Sequence, residues 1–385
     1  MTRASRGLGV ALIVTLLLPA GVAAQGARRF FAGSEVRSMS FDRGLDTETR
    51  SVSEFVVPFG MVWPVSGRLT LDIGTRYASA TREGDVTDST GAVIGTTSAT
   101  ISGLTDTQAR AVFTVLPDVL VFTLMASLPT GKSTVAQEQL ATVGAIAHDL
   151  IPYPVSSFGN GASVTTGIAM AVPFHGWALG VGGSYRVSGA YRLFSDVSDT
   201  TGLSNVDYRP GAEMRFRLGL DRIIGQGRVA LGLTYTSFAI DELGEQQVLQ
   251  SGKRYIGEAS WSFPIGRLGV SLYGWDLYRA ADSDVQTGQS TDAENLVALG
   301  AGLNMQLGRS QLRPTFEYRR QSVGASSLGG AGAMISGALR WVRPLGERLV
   351  FVPSLRYDVG TVANGAQENI GFSGFHGGAT LRVNW

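Results

Sequence analysis

The chain contains no cysteine, only two lysines (Lys132 and Lys253) and only three histidines (His148, His175 and His376) in 385 residues. Without cysteine there are no disulfide staples and no thiolate ligands. Charge is also scarce: Asp, Glu, Lys and Arg make up 16%, against the ~25% usual in soluble domains. The basic residues are almost all arginine and form no tail or cluster, which argues against nucleic acid as a partner. Beyond residue 25 no apolar run approaches the ~18 residues that a membrane helix needs. A helical membrane bundle, a coiled coil and a disordered chain are all excluded.

The first 24 residues read as a signal peptide. Arg3 and Arg6 supply a positive start, Leu8–Leu18 an apolar stretch and Pro19 its break. Val22-Ala23-Ala24 then offers small residues for cleavage after Ala24. The expected mature domain is 25–385, exported by the general secretory route.

What the mature chain has in abundance is period-two alternation. Val229, Leu231, Leu233 and Tyr235 oppose Ala230, Gly232 and Thr234. Trp177, Leu179, Val181 and Tyr185 oppose Ala178, Gly180, Gly182, Ser184 and Arg186. The same holds for Met214, Phe216, Leu218 and Leu220 against Glu213, Arg215, Arg217 and Asp221. Side chains alternate faces along a strand, so each segment has one greasy face and one small or polar face. These segments exceed the ~5–6 residues common in soluble sheets and approach the length needed to cross a bilayer at a tilt. In Leu268–Arg279 the phase slips near Tyr273-Gly274, which predicts a β-bulge.

Connections alternate between short and long. Short turns fall at Pro64–Gly67, Pro117-Asp118, Phe174–Gly176, Gly225–Gly227, Pro264–Gly266, Gly308-Arg309 and Pro344–Gly346. Longer polar loops are expected at about 82–104, 129–161, 191–209, 241–251, 280–293, 323–331 and 361–371. Trp63, Trp177, Trp261, Trp341 and Trp385 gather near the short-turn or C-terminal side, and Tyr77, Tyr185, Tyr235, Tyr255, Tyr318 and Tyr357 towards the long-loop side. Short turns on one side, long loops on the other and two aromatic girdles predict an all-β, antiparallel transmembrane β-barrel. Closure with both termini on the periplasmic side requires an even strand count. With Phe30–Phe41 as the first ascending strand, turning near Gly44, the count is sixteen; fourteen follows if residues 25–60 plug the lumen or one weak hairpin is a loop.

The chain ends with Ala379, Leu381, Val383 and Trp385 in alternation. This resembles the C-terminal strand of bacterial outer-membrane proteins, which implies Trp385 as an assembly signal, the barrel-assembly machinery as a partner and the cell outer membrane as the location. Leu128-Pro129-Thr130-Gly131 closes one strand and Phe158-Gly159-Asn160-Gly161 opens the next. In these two motifs the chain resembles the outer-membrane transporter barrels linked to aromatic-compound (phenol meta-pathway) degradation, and more distantly the fatty-acid transporter barrels. The resemblance implies uptake of small, hydrophobic or aromatic compounds.

Other chemistry finds little support. Ala126–Ser133 nearly spells a phosphate-binding loop, but the first glycine is an alanine and the surrounding strands are of antiparallel type. His148 sits beside Asp149 in the longest loop, His175 in a short turn and His376 on a predicted lumen face. None has a neighbouring nucleophile or metal-ligand spacing. We therefore expect no catalytic residues, no metal and no cofactor.

Strand phase directs ten arginines inward: Arg76, Arg186, Arg215, Arg217, Arg254, Arg313, Arg319, Arg340, Arg356 and Arg382. Six carboxylates join them: Asp72, Glu213, Asp221, Glu258, Glu317 and Asp358. These sixteen residues are the expected pore lining, either as ladders bracing the wall or as a charged rim that selects solutes. Small inward residues (Ala178, Gly180, Gly182, Ala230, Gly232, Ala298, Gly300 and Gly302) leave room inside. In the loop 129–161, Val135–Ile151 carries apolar residues at helical spacing, either capping the outer rim or folding into the mouth as a constriction. The function this predicts is a passive channel for small solutes in outer-membrane lipid. An outer-membrane hydrolase and a structural or adhesive barrel remain the alternatives.

Overall fold

The computed structural model describes residues 28–42, 49–89, 92–194, 206–324, 331–363 and 369–385. The expected signal peptide and the expected turn near Gly44 lie outside the described residues. The strands are β1 (Arg29–Phe41), β2 (Thr49–Pro64), β3 (Leu69–Thr87), β4 (Val93–Leu104), β5 (Thr107–Leu116), β6 (Leu120–Leu128), β7 (Ser163–Phe174), β8 (Trp177–Ser188), β9 (Tyr191–Arg192), β10 (Asp207–Arg209) and β11 (Glu213–Ile224). They continue as β12 (Gly227–Phe238), β13 (Ile240–Leu243), β14 (Gln246–Gln250), β15 (Arg254–Ile265), β16 (Leu268–Arg279), β17 (Ser283–Asp284), β18 (Glu294–Leu307), β19 (Ser310–Val323), β20 (Ala331–Pro344), β21 (Leu349–Ala363) and β22 (Asn369–Asn384).

Each wall strand pairs antiparallel with the next, and β1 closes the sheet on β22 from Arg29↔Asn384 to Phe41↔Phe372. β4 pairs with the outer part of β3 and β5 with its inner part, so the two form one broken wall strand. The barrel therefore has sixteen wall positions. With β1 and β2 paired in the wall, the fourteen-strand alternative and its N-terminal plug do not hold.

Pairing fixes the faces. Leu218 lies opposite Leu233, and Leu220 opposite Leu231, all on the outside. Arg217 lies opposite Thr234, and Asp221 opposite Ala230, on the inside. Lipid cannot hydrogen-bond backbone groups, so a closed sheet with an apolar outer row is one of the few structures that can cross it. The predicted bulge in β16 is absent, because its register with β15 and β18 runs without a shift. Tyr273, Trp275 and Leu277 instead pair with the inward residues Ser260, Glu258 and Ile256. Three large side chains on the inner face made a regular strand look out of phase.

Both girdles form. Arg28 lies over Trp63 at 5.0 Å, Arg222 over Trp177 at 5.5 Å and Arg343 over Trp341 at 5.1 Å, so cations cap the indoles at the short-turn end. On the long-loop side Tyr235, Tyr255 and Tyr278 stack in a row, with ring centroids 5.2 and 6.2 Å apart.

Two loop expectations are corrected. Most of 82–104 is not loop: β3 runs on to Thr87 and β4 starts at Val93, making a tall hairpin. Its Val, Ile and Thr residues favour strand, and pairing within the hairpin satisfies the backbone. Outside the wall, β9, β10, β13, β14 and β17 form a second, five-stranded sheet. The segment 241–251 is therefore largely ordered strand.

Candidate functional site

The long segment between β6 and β7 folds into the barrel mouth. Ala145, Ile146, Leu150, Ile151, Tyr153, Val155 and Phe158 are all buried. They join one apolar cluster with inward residues of the wall, among them Met39, Phe41, Val52, Val56, Ile101, Leu277, Leu296, Met334, Val362 and Phe372. With Ala78 and Ala80 of β3, these seats lie on the arc of wall that runs from β16 through β22 and β1 to β4. At the mouth, Ser163 of β7, Ser188 of β8 and Thr236 of β12 are buried as well, but lower on this side Ala169 and Ala178 are exposed, and Gly180, Gly182, Arg217 and Gly219 half-buried. The loop's apolar packing is thus on one wall, and below the mouth the opposite side is open.

The helix is shorter than expected. Only α1 (Leu140–Ile146) forms, after a 3-10 turn at Gln137–Gln139. At the start Val135 is taken into a β-bridge with Phe194, and at the far end Pro152 and Pro154, which lack an N–H and disfavour helical backbone at the residue before them, keep Ile151 and Tyr153 out of a helix. Ile151–Val155 alternates instead, with Ile151, Tyr153 and Val155 buried and Pro152 and Pro154 half-buried.

Charged wall residues grip this stretch. Arg37 donates to the Pro152 carbonyl, and Arg76 Nη1 to the Pro154 carbonyl at 2.9 Å. The Val155 N–H donates to Glu54 Oε1 at 3.0 Å. Asp149 pairs with Arg279 at 2.9 Å, and Arg279 also meets Glu294 at 3.0 Å. Burial holds the His148 imidazole below its usual range, and its Nδ1 accepts the Leu150 N–H at 3.3 Å. Burial likewise pushes the Tyr153 phenol up.

The two motifs flanking the loop meet at Asp106. Its Oδ1 accepts the Gly131 N–H at 3.0 Å and its Oδ2 the Asn160 N–H at 2.7 Å. A side chain at Gly131 would collide with the Phe158 carbonyl, which explains glycine there. Lys132 Nζ reaches Gln139 Oε1 at 3.3 Å, and no helix starts at Ser133, so Ala126–Ser133 is a strand end entering this loop.

All sixteen expected lining residues fall on the inner side, but in different settings. Glu317, Arg319 and Asp358 are buried beneath the loop and are not open to the lumen. There Arg319 pairs with Glu317 at 2.8 Å, Arg356 with Asp358 at 2.7 Å, and Tyr273 donates to Glu317 at 3.1 Å. Nearer the open wall Arg215 pairs with Glu213 at 2.5 Å, Arg217 pairs with Glu258, and Arg254 packs over Phe238 at 4.8 Å. Asp72 pairs with Arg110 at 2.7 Å and Asp221 with Arg228 at 2.6 Å. Every one of the six expected carboxylates is therefore ion-paired.

Arg37, Glu54, Asp106, Arg110, Arg228, Arg279 and Glu294 were not singled out in the sequence, although their strand phase or their place beside the loop motifs carried the signal. The room expected at Gly300 is filled by the Tyr273 ring. The space beside Gly180 and Gly219 remains open. Among the histidines, His175 sits in its short turn at φ 48° and His376 Nε2 lies 3.6 Å from Glu35.

A closed barrel with an apolar outer wall and two aromatic girdles belongs in the cell outer membrane. No protein-family model and no curated protein matches the chain. Solved outer-membrane barrels are similar in outline. OprB of Pseudomonas putida is 11% identical with a TM-score of 0.49, over 94% of each chain. An anion-selective porin from Comamonas acidovorans is 12% identical with a TM-score of 0.42, over 94% of this chain and 99% of that one. OccK1 (OpdK) of Pseudomonas aeruginosa is 10% identical with a TM-score of 0.45, over 93% of this chain and 99% of that one.

Proposed function

We propose that the protein is a passive outer-membrane channel for small solutes, without catalysis and without a cofactor. The observation that carries this reading is the one-sided seating of the loop between β6 and β7. Loop and wall share an apolar interface on one side, while glycine, alanine and paired arginines line the other. At ~16 strands a barrel is wide enough for an aqueous lumen, and a loop held within it sets the width. Small aromatic or hydrophobic compounds are the solute class, because the loop is poor in charge and Pro152 and Pro154 alternate with its packed residues without being buried themselves. Trp385 serves as the assembly signal.

Planar-bilayer recording tests the reading. The purified protein should give discrete conductance steps, and excising Val135–Asp149 should raise the single-channel conductance of a still-folded barrel. A silent wild-type protein would overturn the channel reading, and unchanged conductance in the excision variant would remove the loop from the path.

A further inference from the structure

We propose that the periplasmic end of the lumen holds a binding station for small organic acids, built from Arg29, Arg313, Arg340 and Arg382. The proposal rests on the channel reading and adds the chemical class of solute.

All four arginines lie near the short-turn ends of their strands. Arg29 opens β1, Arg313 is near the start of β19, and Arg340 and Arg382 are near the ends of β20 and β22. Arg313 and Arg340 are direct partners across two strands. Arg382 is within electrostatic reach of Arg340, Arg29 and Arg313. Elsewhere in the lumen most arginines are offset by carboxylates: Arg37, Arg110, Arg215, Arg217, Arg228, Arg279, Arg319 and Arg356 all form ion pairs, while Arg76 is taken up by the Pro154 carbonyl, Arg254 packs over Phe238 and Arg186 lies opposite Glu213. Here the partners are neutral. Arg313 donates to Gln311 at 2.7 Å and Arg29 to Asn384 at 3.2 Å. Arg340 and Arg382 have neither hydrogen bond nor ion pair among the described residues. Glu35 is within electrostatic reach of Arg340, but its carboxylate is turned to His376 at 3.6 Å.

Like charges held together on a wall are unfavourable unless something compensates them. Nothing in a ladder of Arg–carboxylate pairs attracts a solute, whereas four half-buried guanidinium groups facing one carboxylate do. A guanidinium presents parallel N–H donors that match a carboxylate in bidentate fashion. Beside Arg382, its strand partner Phe31 lies against Gly60, where a Cβ would come within 2.6 Å of the ring. An apolar surface beside a free guanidinium suits an acid with an apolar body over a bare phosphate.

The experiment uses the full-length folded barrel and its Arg313→Gln/Arg340→Gln/Arg382→Gln variant, with folding checked by heat-modifiable migration. Under a KCl gradient the wild type should be anion-selective, and the variant's permeability ratio should fall by at least about twofold. Calorimetry with benzoate should show saturable binding that weakens roughly tenfold in the variant. A cation-selective wild type, or equal ratio and equal benzoate binding in both proteins, would overturn the station. Inorganic phosphate binding as tightly as benzoate would overturn the organic-acid assignment. If the wild type does not conduct but still binds benzoate through these arginines, the channel reading fails and the station stands.

Discussion

Arg37 on β1 and Asp358 on β21 form an ion pair of 2.7 Å with side chains only 1% and 0% exposed. Their strands are not neighbours. Between them β22 presents Gly374, which pairs with Asp358 on one side and Met39 on the other. Any side chain at Gly374 would strike the Met39 sulfur, so glycine clears the way for this packing. Asp358 also accepts Ser336 Oγ at 2.6 Å and Arg356 Nε at 2.7 Å, while Arg37 holds the loop through the Pro152 carbonyl. Removing one partner of a buried pair strands the other charge. Asp358→Ala should therefore lower stability by about 3–5 kcal/mol. Urea unfolding of the detergent-folded barrel measures this, and a loss below about 1 kcal/mol would show that water reaches the pair.

The outer wall makes a separate prediction. Leu218 and Leu231 lie in the lipid-facing row, and Thr234 and Ser184 in the inner row. Leu218→Arg or Leu231→Arg should cost roughly 2–4 kcal/mol near the bilayer midplane, and Thr234→Arg or Ser184→Arg far less. Equal losses in the same unfolding assay would show that the two faces are wrongly assigned.

The difference between these faces explains what could be read from the sequence. Lipid imposes one rule on every outward position, so Leu231, Leu218 and their row announce the barrel, while the strand count follows from the alternation of turns and loops together with closure, which leave fourteen open. The inner face follows two rules. Where it meets water it carries small or charged residues, as on β8 and β11. Where it seats the loop it must be apolar, as at Val56, Leu277, Leu296 and Val362. A strand stretch that is apolar on both faces, such as Phe55-Val56-Val57 in the middle of β2, marks such a seat and carries the signal. Ion pairing was less legible, because Arg37 and Asp358 are partners only after closure brings the chain's ends together. The helix expected over Val135–Ile151 is cut at both ends: Val135 is bridged to Phe194, and the prolines beyond Ile151 need extended backbone, which the barrel wall holds.

Asp106 makes the loop's two ends one unit, through Gly131 at 3.0 Å and Asn160 at 2.7 Å. Asp106→Ala leaves both N–H groups without this acceptor, at a cost of about 1–3 kcal/mol. The wall pairs are untouched by it, so the barrel should stay heat-modifiable while the loop opens more often. Limited proteolysis should then cut between residues 129 and 161 faster than in the wild type. Equal cleavage rates would mean that the apolar seat alone secures the loop.

Acid should loosen the same loop from another point. His148 is half-buried beside Asp149, its Nδ1 accepts the Leu150 N–H, and desolvation favours its neutral form. Its folded pKa lies below the unfolded value of about 6.5, so the unfolded loop binds the extra proton first. The contribution of His148 is thus fully present above pH ~6.5 and declines as pH falls through the interval down to the folded value. Protonation also turns Nδ1 from acceptor to donor, facing the Leu150 N–H donor. Open-channel noise and proteolysis of the loop should both rise between pH 7 and about pH 5. His148→Asn keeps an amide oxygen that can accept from Leu150 but cannot titrate in this range. That variant should hold the loop equally well at both pH values. If it loosens in acid as much as the wild type, the pH response originates elsewhere than His148.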